Sequence, residues 1–223
     1  MLQIQNVNVY DLKESVIASG NAMRLTPVEY TDEEFQKGLV RMKKLIKASD
    51  SKVHCHKNAL CGIRVSFDVV YPQYWTPEFQ RYHFADIVTS SSKMHRLCKM
   101  DLRKATNKYV SPTQIKEEQL HVDNYNKIVA DESITSFEYW NTEGEEDILV
   151  KVEGRENAIY TAFIVMVSNC PLGLELFMRV TTNYLQLSNI YWQRKNHRLK
   201  EDWGNFIEFI ENLPYAKELI IGE

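Results

Sequence analysis

The chain has 223 residues, 27 Lys and Arg against 30 Asp and Glu, a net charge of −3 and a hydrophobic fraction of 44%. That length can bury the core of one domain, or of one domain with an elaboration, and the composition is ordinary for a soluble globular protein. The charge argues against a DNA-coating protein, no apolar run reaches bilayer length, and the start Met1-Leu-Gln-Ile lacks the basic and apolar regions of a secretory leader; the expectation is a cytoplasmic protein with no membrane partner. Four cysteines, Cys55, Cys61, Cys98 and Cys170, read as free thiols of a reducing compartment.

Taken in chain order, Leu2, Ile4, Val7 and Val9 alternate imperfectly with polar neighbours and predict an opening strand. Residues 32–48 predict a helix: Thr31 can cap it, Asp32, Glu33 and Glu34 charge its first turn, and Lys43, Lys44 and Lys47 follow toward its end. His54, Cys55, His56 and Cys61 invite a metal reading. A strand would send neighbouring side chains to opposite faces, and no second ligand pair has finger spacing, so no metal is expected. Residues 61–70 alternate cleanly and predict a strand. An aromatic turn follows from Tyr71, and Thr76-Pro77 opens a helix expected to carry Arg81 and His83.

Residues 113–142 look mostly helical and amphipathic, and the segment from Thr142 to Asp147 is the best surface loop. From 157 to 169, and again from 173, the pattern is helical or buried, while Thr181–Trp192 is ambiguous between strand and helix. Residues 200–213 predict a helix with Trp203, Phe206, Ile207 and Ile210 on one face, broken by Pro214. Without a repeat or a low-complexity linker, the expectation is a single domain over residues 1–223.

Chemistry concentrates in the run Arg81-Tyr82-His83-Phe84-Ala85-Asp86-Ile87-Val88-Thr89-Ser90-Ser91. A guanidinium offers planar, permanently charged donors that suit phosphate, an imidazole adds a titratable donor, and clustered hydroxyls add short donors and acceptors. Together they suit a phosphorylated, ring-bearing ligand. A solvated helix with Glu78 and Arg81 paired at i, i+3, followed by a hydroxyl-rich turn, is the competing reading. There is no G-x-G-x-x-G, Walker A loop, H-E-x-x-H, C-x-x-C or G-x-S-x-G. The basic run from Gln193 to Lys200 could touch nucleic acid, although a solvated loop or a part of the same site is the more usual reading.

The spacing resembles the RHR-x7-S signature of the flavin-dependent thymidylate synthases, here Arg-Tyr-His-x7-Ser. Further pieces follow in the family's order: His56-Lys57-Asn58, Val65-Ser66-Phe67, Arg179, Tyr191-Trp192, Asn196-His197-Arg198, Asn205-Phe206 and Ala216-Lys217-Glu218-Leu219-Ile220. This resemblance implies an α+β, thymidylate synthase-complementing-protein-like fold, a small antiparallel sheet packed with helices. It implies transfer of a methylene group from methylenetetrahydrofolate to deoxyuridine monophosphate with FAD, NADPH supplying the electrons, in a homotetramer. Asn58, Arg81, His83, Asn196, Arg198 and Asn205 would hold the flavin. Glu78, Arg81, Thr89, Ser90, Ser91, Ser92, Lys93 and Arg179 would hold the nucleotide.

The chain departs from the pattern at several places. Tyr82 stands mid-triplet, Glu78 replaces a glutamine, Lys93 replaces an arginine, and Leu60, Cys61 and Gly62 fill the places of a Glu-His pair. An arginine that helps ionise the pyrimidine would fall at Ile210 or Glu211, where none lies. Two readings therefore stay open: an enzyme of nucleotide metabolism, or a non-catalytic protein of the same fold that binds a nucleotide or, less expected, nucleic acid.

Overall fold

The computed structural model describes residues 2–49 and 54–222. Its contacts divide into two compact units: one built from the chain up to Tyr71, Trp75–Ser90 and the chain from Phe177 onward, the other from Pro72–Tyr74 and Ser91–Leu176. The architecture is α+β, with a four-stranded sheet in the order β1 (Gln3–Tyr10), β2 (Arg64–Pro72), β6 (Glu175–Asn183), β3 (Asp86–Ser90) and a separate two-stranded ribbon.

In the first unit, β1 (Gln3–Tyr10) pairs antiparallel with β2 (Arg64–Pro72), with an irregularity between Gln5 and Asn8. Strand β2 alternates as expected: Val65, Phe67, Val69 and Tyr71 are buried, and the residues between them lie on the other face. Helix α1 (Leu12–Ala18) and helix α2 (Asp32–Ser49) follow β1, and the Thr31 hydroxyl accepts the Glu34 amide at 3.2 Å, the expected cap. The segment His54–Cys61 forms 3₁₀ turns instead of strand, so β2 begins only at Arg64. The side chains of His54, Cys55 and His56 lie outside the described residues.

Helix α3 (Thr76–Phe79) is a single turn, and Arg81 and His83 sit in the tight turn after it. Strand β3 (Asp86–Ser90) then pairs with β6 (Glu175–Asn183). Sequence patterning read the region from 173 as helical or buried, but it is this strand, with Leu176, Met178, Val180 and Thr182 buried in alternation. The ambiguous stretch resolves at Asn183, whose side chain accepts the Gln186 amide at 2.9 Å and starts helix α8 (Tyr184–Arg194). Helix α9 (Lys200–Glu211) buries Trp203, Phe206 and Ile210. These join Trp75, Phe79 and Phe67 in an aromatic core, with ring centroids 4.6 Å apart for Trp75–Phe79 and 5.0 Å for Trp75–Trp203.

The second unit holds helices α4 (Lys93–Arg96), α5 (Leu102–Ala105), α6 (Pro112–Ala130) and α7 (Arg155–Ser168). Ser111 caps α6 and Pro112 opens it. The long helix expected to run to 142 stops at Ala130. Arg155 seals that end by donating to the carbonyls of Ile128, Asp131 and Ile134 at 3.1, 2.7 and 3.3 Å. Beyond it, β4 (Ser136–Glu143) pairs with β5 (Glu146–Glu153). Phe137, Tyr139 and Trp140 favour strand and find Val152, Val150 and Leu149 opposite. The expected loop is the tip of this ribbon, where Gly144 takes φ +67°. Among the described residues, no helix is long and apolar enough to cross a membrane.

Candidate functional site

The turn after α3 and the exposed side of α8 meet around a cavity of about 520 Å³ lined by Arg81, Tyr82, His83, Phe84, Gln186, Asn189, Gln193 and Arg194. The helix contributes positions i, i+3, i+7 and i+8, which lie on one face. Arg81, His83 and Phe84 are exposed, whereas Tyr82 points inward and is buried. The turn therefore hands two cationic or titratable groups to the cavity and uses the residue between them as an anchor.

That anchor belongs to a network centred on Arg194. The Arg194 Nε donates to the Tyr82 hydroxyl at 2.7 Å, and Nη1 donates to Glu78 Oε2 at 3.2 Å. Tyr82 in turn donates to Gln193 Oε1 at 3.2 Å. The Trp203 indole donates to the same Glu78 oxygen at 2.8 Å, and His197 Nε2 lies 3.5 Å from it. The Arg194 guanidinium also lies over the Trp203 ring, 4.7 Å from its centroid. A guanidinium held by an acid, a phenol and an aromatic face has little rotamer freedom left to lose on binding.

The expected site residues distribute as follows. Arg81 and His83 share the cavity. Glu78 is committed to Arg194, Trp203 and His197, so the Glu78–Arg81 surface pair is replaced by an internal one. Asn196 lines a neighbouring cleft with Arg194, Lys195, His197, Lys200 and Gly204, and Arg198 is exposed between α8 and α9. Asn205 donates to the Leu2 carbonyl at 2.9 Å and ties down the first strand. Asn58 is exposed and lines a different cavity, with Ser15, Ser19 and Arg41. Thr89 and Ser90 are exposed on β3. Arg179 lies opposite Thr89, donates to Asp68 Oδ1 at 3.1 Å and to the Asn6 carbonyl at 2.9 Å, and does not line the Arg81 cavity. Hydrogen bonding from Asn6 and then the Arg179 guanidinium hold the Asp68 carboxyl below its ordinary range. In the second unit, Ser91 and Lys93 are half-buried and Ser92 shares a 2.8 Å hydrogen bond with His95 Nδ1.

Sequence reasoning missed Gln186, Asn189, Gln193 and the central place of Arg194. Their signal was three amides and an arginine at one-face helical spacing, hidden because the helix start was ambiguous. Ile210, one of the two places expected to carry an arginine, is fully buried, and Glu211 accepts the Tyr191 hydroxyl at 3.2 Å. Among the described residues, no three His, Cys, Asp or Glu side chains group as metal ligands.

No family profile matches this sequence, and no curated protein does. Solved structures do match. A crystal structure of the flavin-dependent thymidylate synthase ThyX from Helicobacter pylori, complexed with FAD and dUMP, aligns with a TM-score of 0.60 and 13% identity over 97% of this chain and 98% of that one. Another ThyX structure from Helicobacter pylori with FAD and dUMP aligns with a TM-score of 0.61 and 11% identity over 99% and 97%. The chain has the fold of the flavin-dependent thymidylate synthases. Near-complete coverage in both directions makes the thymidylate synthase fold account for both compact units. At such low identity the likeness concerns the path of the backbone, so any ligand must be argued from the cavity itself.

Proposed function

We propose that the Arg81–His83 cavity binds a pyrimidine nucleotide, deoxyuridine monophosphate in the first instance, and that the protein serves nucleotide metabolism in the manner of a flavin-dependent thymidylate synthase. One observation carries this reading: two arginines, a histidine and three carboxamides converge on one cavity in a fold whose solved examples hold FAD and dUMP. Arg81 and His83 supply donors for phosphate. Gln186, Asn189 and Gln193 each present a donor and an acceptor, the complement of a pyrimidine or isoalloxazine edge. Arg194 takes the part for which no arginine stands near Ile210: a fixed positive charge beside a ring that must develop negative charge.

The donor set also fits a flavin, with Asn196 and Arg198 extending it beyond Arg194. FAD, when bound, would supply the hydride that side chains cannot, with NADPH and methylenetetrahydrofolate as co-substrates. The chain's own residues bind, orient and stabilise charge. In this reading the protein works in the cytoplasm, as a homotetramer, without a nucleic-acid partner.

A second reading, a nucleotide-binding protein without catalysis, is favoured by Glu78. Its carboxylate occupies the place of a nucleotide-contacting glutamine and is spent on Arg194, Trp203 and His197. The visible spectrum of the purified protein, before and after loading with FAD and desalting, separates the two. Retained flavin bands that shift on adding deoxyuridine monophosphate support the enzyme. A colourless protein that binds the nucleotide supports the second reading. Neither ligand binding, or unchanged nucleotide affinity in both Arg81→Ala and His83→Ala, would remove the site.

A further inference from the structure

Strand β4 has a free edge, and a groove runs beside it. The ribbon has only two strands, so one side of β4 meets β5 and the other meets no strand. Glu143 and Glu146 close a two-residue turn, which makes them a hydrogen-bonded pair. Counting back from that pair, Glu138, Trp140 and Thr142 turn their backbone amides and carbonyls outward. Among the described residues, none of these groups meets a backbone partner beyond the ribbon. Two adjoining cavities of about 600 and 300 Å³ flank the edge and share Asn124, Phe137 and Glu138. Helices α6 and α7 supply Leu120, His121, Ile164 and Val165 to the larger one, and no β5 residue lines either.

Folded proteins ordinarily blunt such edges. In the four-stranded sheet the outer strands β1 and β3 are each broken by an irregularity, between Gln5 and Asn8 and between Ile87 and Thr89. Strand β4 pairs without a break over eight residues and contains no proline, lysine or arginine. One of its faces packs inward, where Phe137 joins Ile128, Ala158 and Ala162 and stacks on Tyr139. On the other face Trp140 is 71% exposed. The nearby charge is mainly acidic. Glu117 and Glu138 line the groove with one cation, Lys127, and burial keeps the His121 imidazole below its ordinary pKa and neutral at pH 7. The ribbon tip adds Glu143, Glu145, Glu146 and Asp147, which form no ion pair among the described residues. Of the other cations on these elements, Lys116 lies on α6, Arg155 is spent on the carbonyls at the end of α6, and Lys151 is held by Glu153 at 2.7 Å.

We propose that this groove docks an extended, basic segment of another protein, which adds to β4 as a third strand of the ribbon. The outward backbone groups of Glu138, Trp140 and Thr142 would give the ladder its hydrogen bonds. Apolar side chains at alternate positions would enter the groove beside Leu120 and Ile164. The lysines or arginines between them would lie over Trp140 and beside Glu138. A second copy of this chain fits poorly: antiparallel pairing of β4 with itself about Tyr139 would set Glu146 and Asp147 of one ribbon against Glu132 and Asp131 of the other. The proposal is independent of the nucleotide reading.

The test uses the full chain and a fluorescein-labelled peptide of alternating lysine and valine with both ends blocked, followed by fluorescence anisotropy at low salt. Two comparison peptides have the same composition: one gathers the lysines and valines into separate blocks, the other is N-methylated at every amide. Glu138→Lys is compared with Glu29→Lys, which makes the same charge change at another exposed glutamate. The alternating peptide should bind the wild type and Glu29→Lys alike and Glu138→Lys about tenfold or more weakly. The block and N-methylated peptides should bind the wild type about tenfold or more weakly than the alternating one. Hydrogen exchange read by mass spectrometry should slow over residues 136–143 when the alternating peptide is present. No binding of that peptide, equal binding of all three peptides, or equal binding by the two variants would overturn the docking site. Slow exchange over 136–143 without peptide, lost on dilution, would assign the edge to self-assembly and overturn it as well.

Discussion

Glu118 offers the sharpest physical test of the second unit. It lies on α6 at 1% exposure, and neither carboxylate oxygen has a hydrogen-bond partner among the described residues. Burial pushes its pKa from 4.5 to about 7, with Lys93 opposing weakly. The folded state therefore holds the proton more tightly than the unfolded chain. Stability on this account is fully present below pH 4.5, falls as pH rises toward 7, and stays low above it. The rise from 4.5 to about 7 amounts to about 3 kcal/mol, most of it lost between pH 5 and pH 8. Glu118→Gln removes the ionisation and keeps the shape. Any cost of its unpaired amide is independent of pH and cancels when two pH values are compared. Urea unfolding at pH 5 and pH 8, with amide exchange in α6 as the local probe, should show the variant gaining about 2.5 kcal/mol on the wild type across that interval. Parallel pH dependences in the two proteins, within about 1 kcal/mol, would refute the buried ionisable carboxyl.

Glu78→Ala strips a shared acceptor from Arg194, Trp203 and His197 and should lower stability by about 2–3 kcal/mol, read from the urea midpoint. Phe206→Ala opens the aromatic core and should cost about 3–5 kcal/mol in the same assay. Alkylation mapped by mass spectrometry at pH 8 should reach exposed Cys61 well before Cys170, whose thiol is pushed up to about 11 by burial. Ser111→Ala removes the α6 cap and should cost about 1 kcal/mol, provided amide exchange in the first turn of α6 quickens.

Elements whose burial follows one period were legible in the sequence. Strand β2 alternates cleanly because one face packs against Trp75 and Phe206, α2 declares itself through its Thr31 cap and acidic first turn, and α9 through its apolar stripe. Strand β6 was not legible, because Leu176, Met178 and Val180 alternate with Phe177 and Arg179, an aromatic and a long side chain that blur the polar half of the pattern. Strand β4 was lost for another reason: it follows α6 after a five-residue gap, and Tyr139 and Trp140 fit an amphipathic helix as readily as a ribbon. Arg81 and His83 were visible through local spacing. Gln186, Asn189 and Gln193 were not, since amides have no periodic signature until the helix that presents them is known. Arg194 was seen only as one cation of a basic run, because its role comes from Tyr82 and Glu78, more than a hundred residues away in sequence.

That distance bears on how the departures from the family pattern are read. Taken singly, Tyr82 in mid-triplet, Glu78 for glutamine and the absence of an arginine near Ile210 look like three independent losses. In three dimensions Tyr82 and Glu78 both bond Arg194, one of the two arginines that line the cavity. A carboxylate at position 78 would be costly to half-bury without a cation, and Arg194 supplies one. A phenol at 82 fills the space beside that guanidinium and passes a hydrogen bond on to Gln193. Each of these polar groups has a partner. Their mutual satisfaction means they act as one coupled arrangement that fixes Arg194 at the cavity wall. Double-mutant cycles should then give a coupling of about 1–3 kcal/mol between Glu78→Gln and Tyr82→Phe, transmitted through Arg194. Additive effects within about 0.5 kcal/mol would return them to independent substitutions.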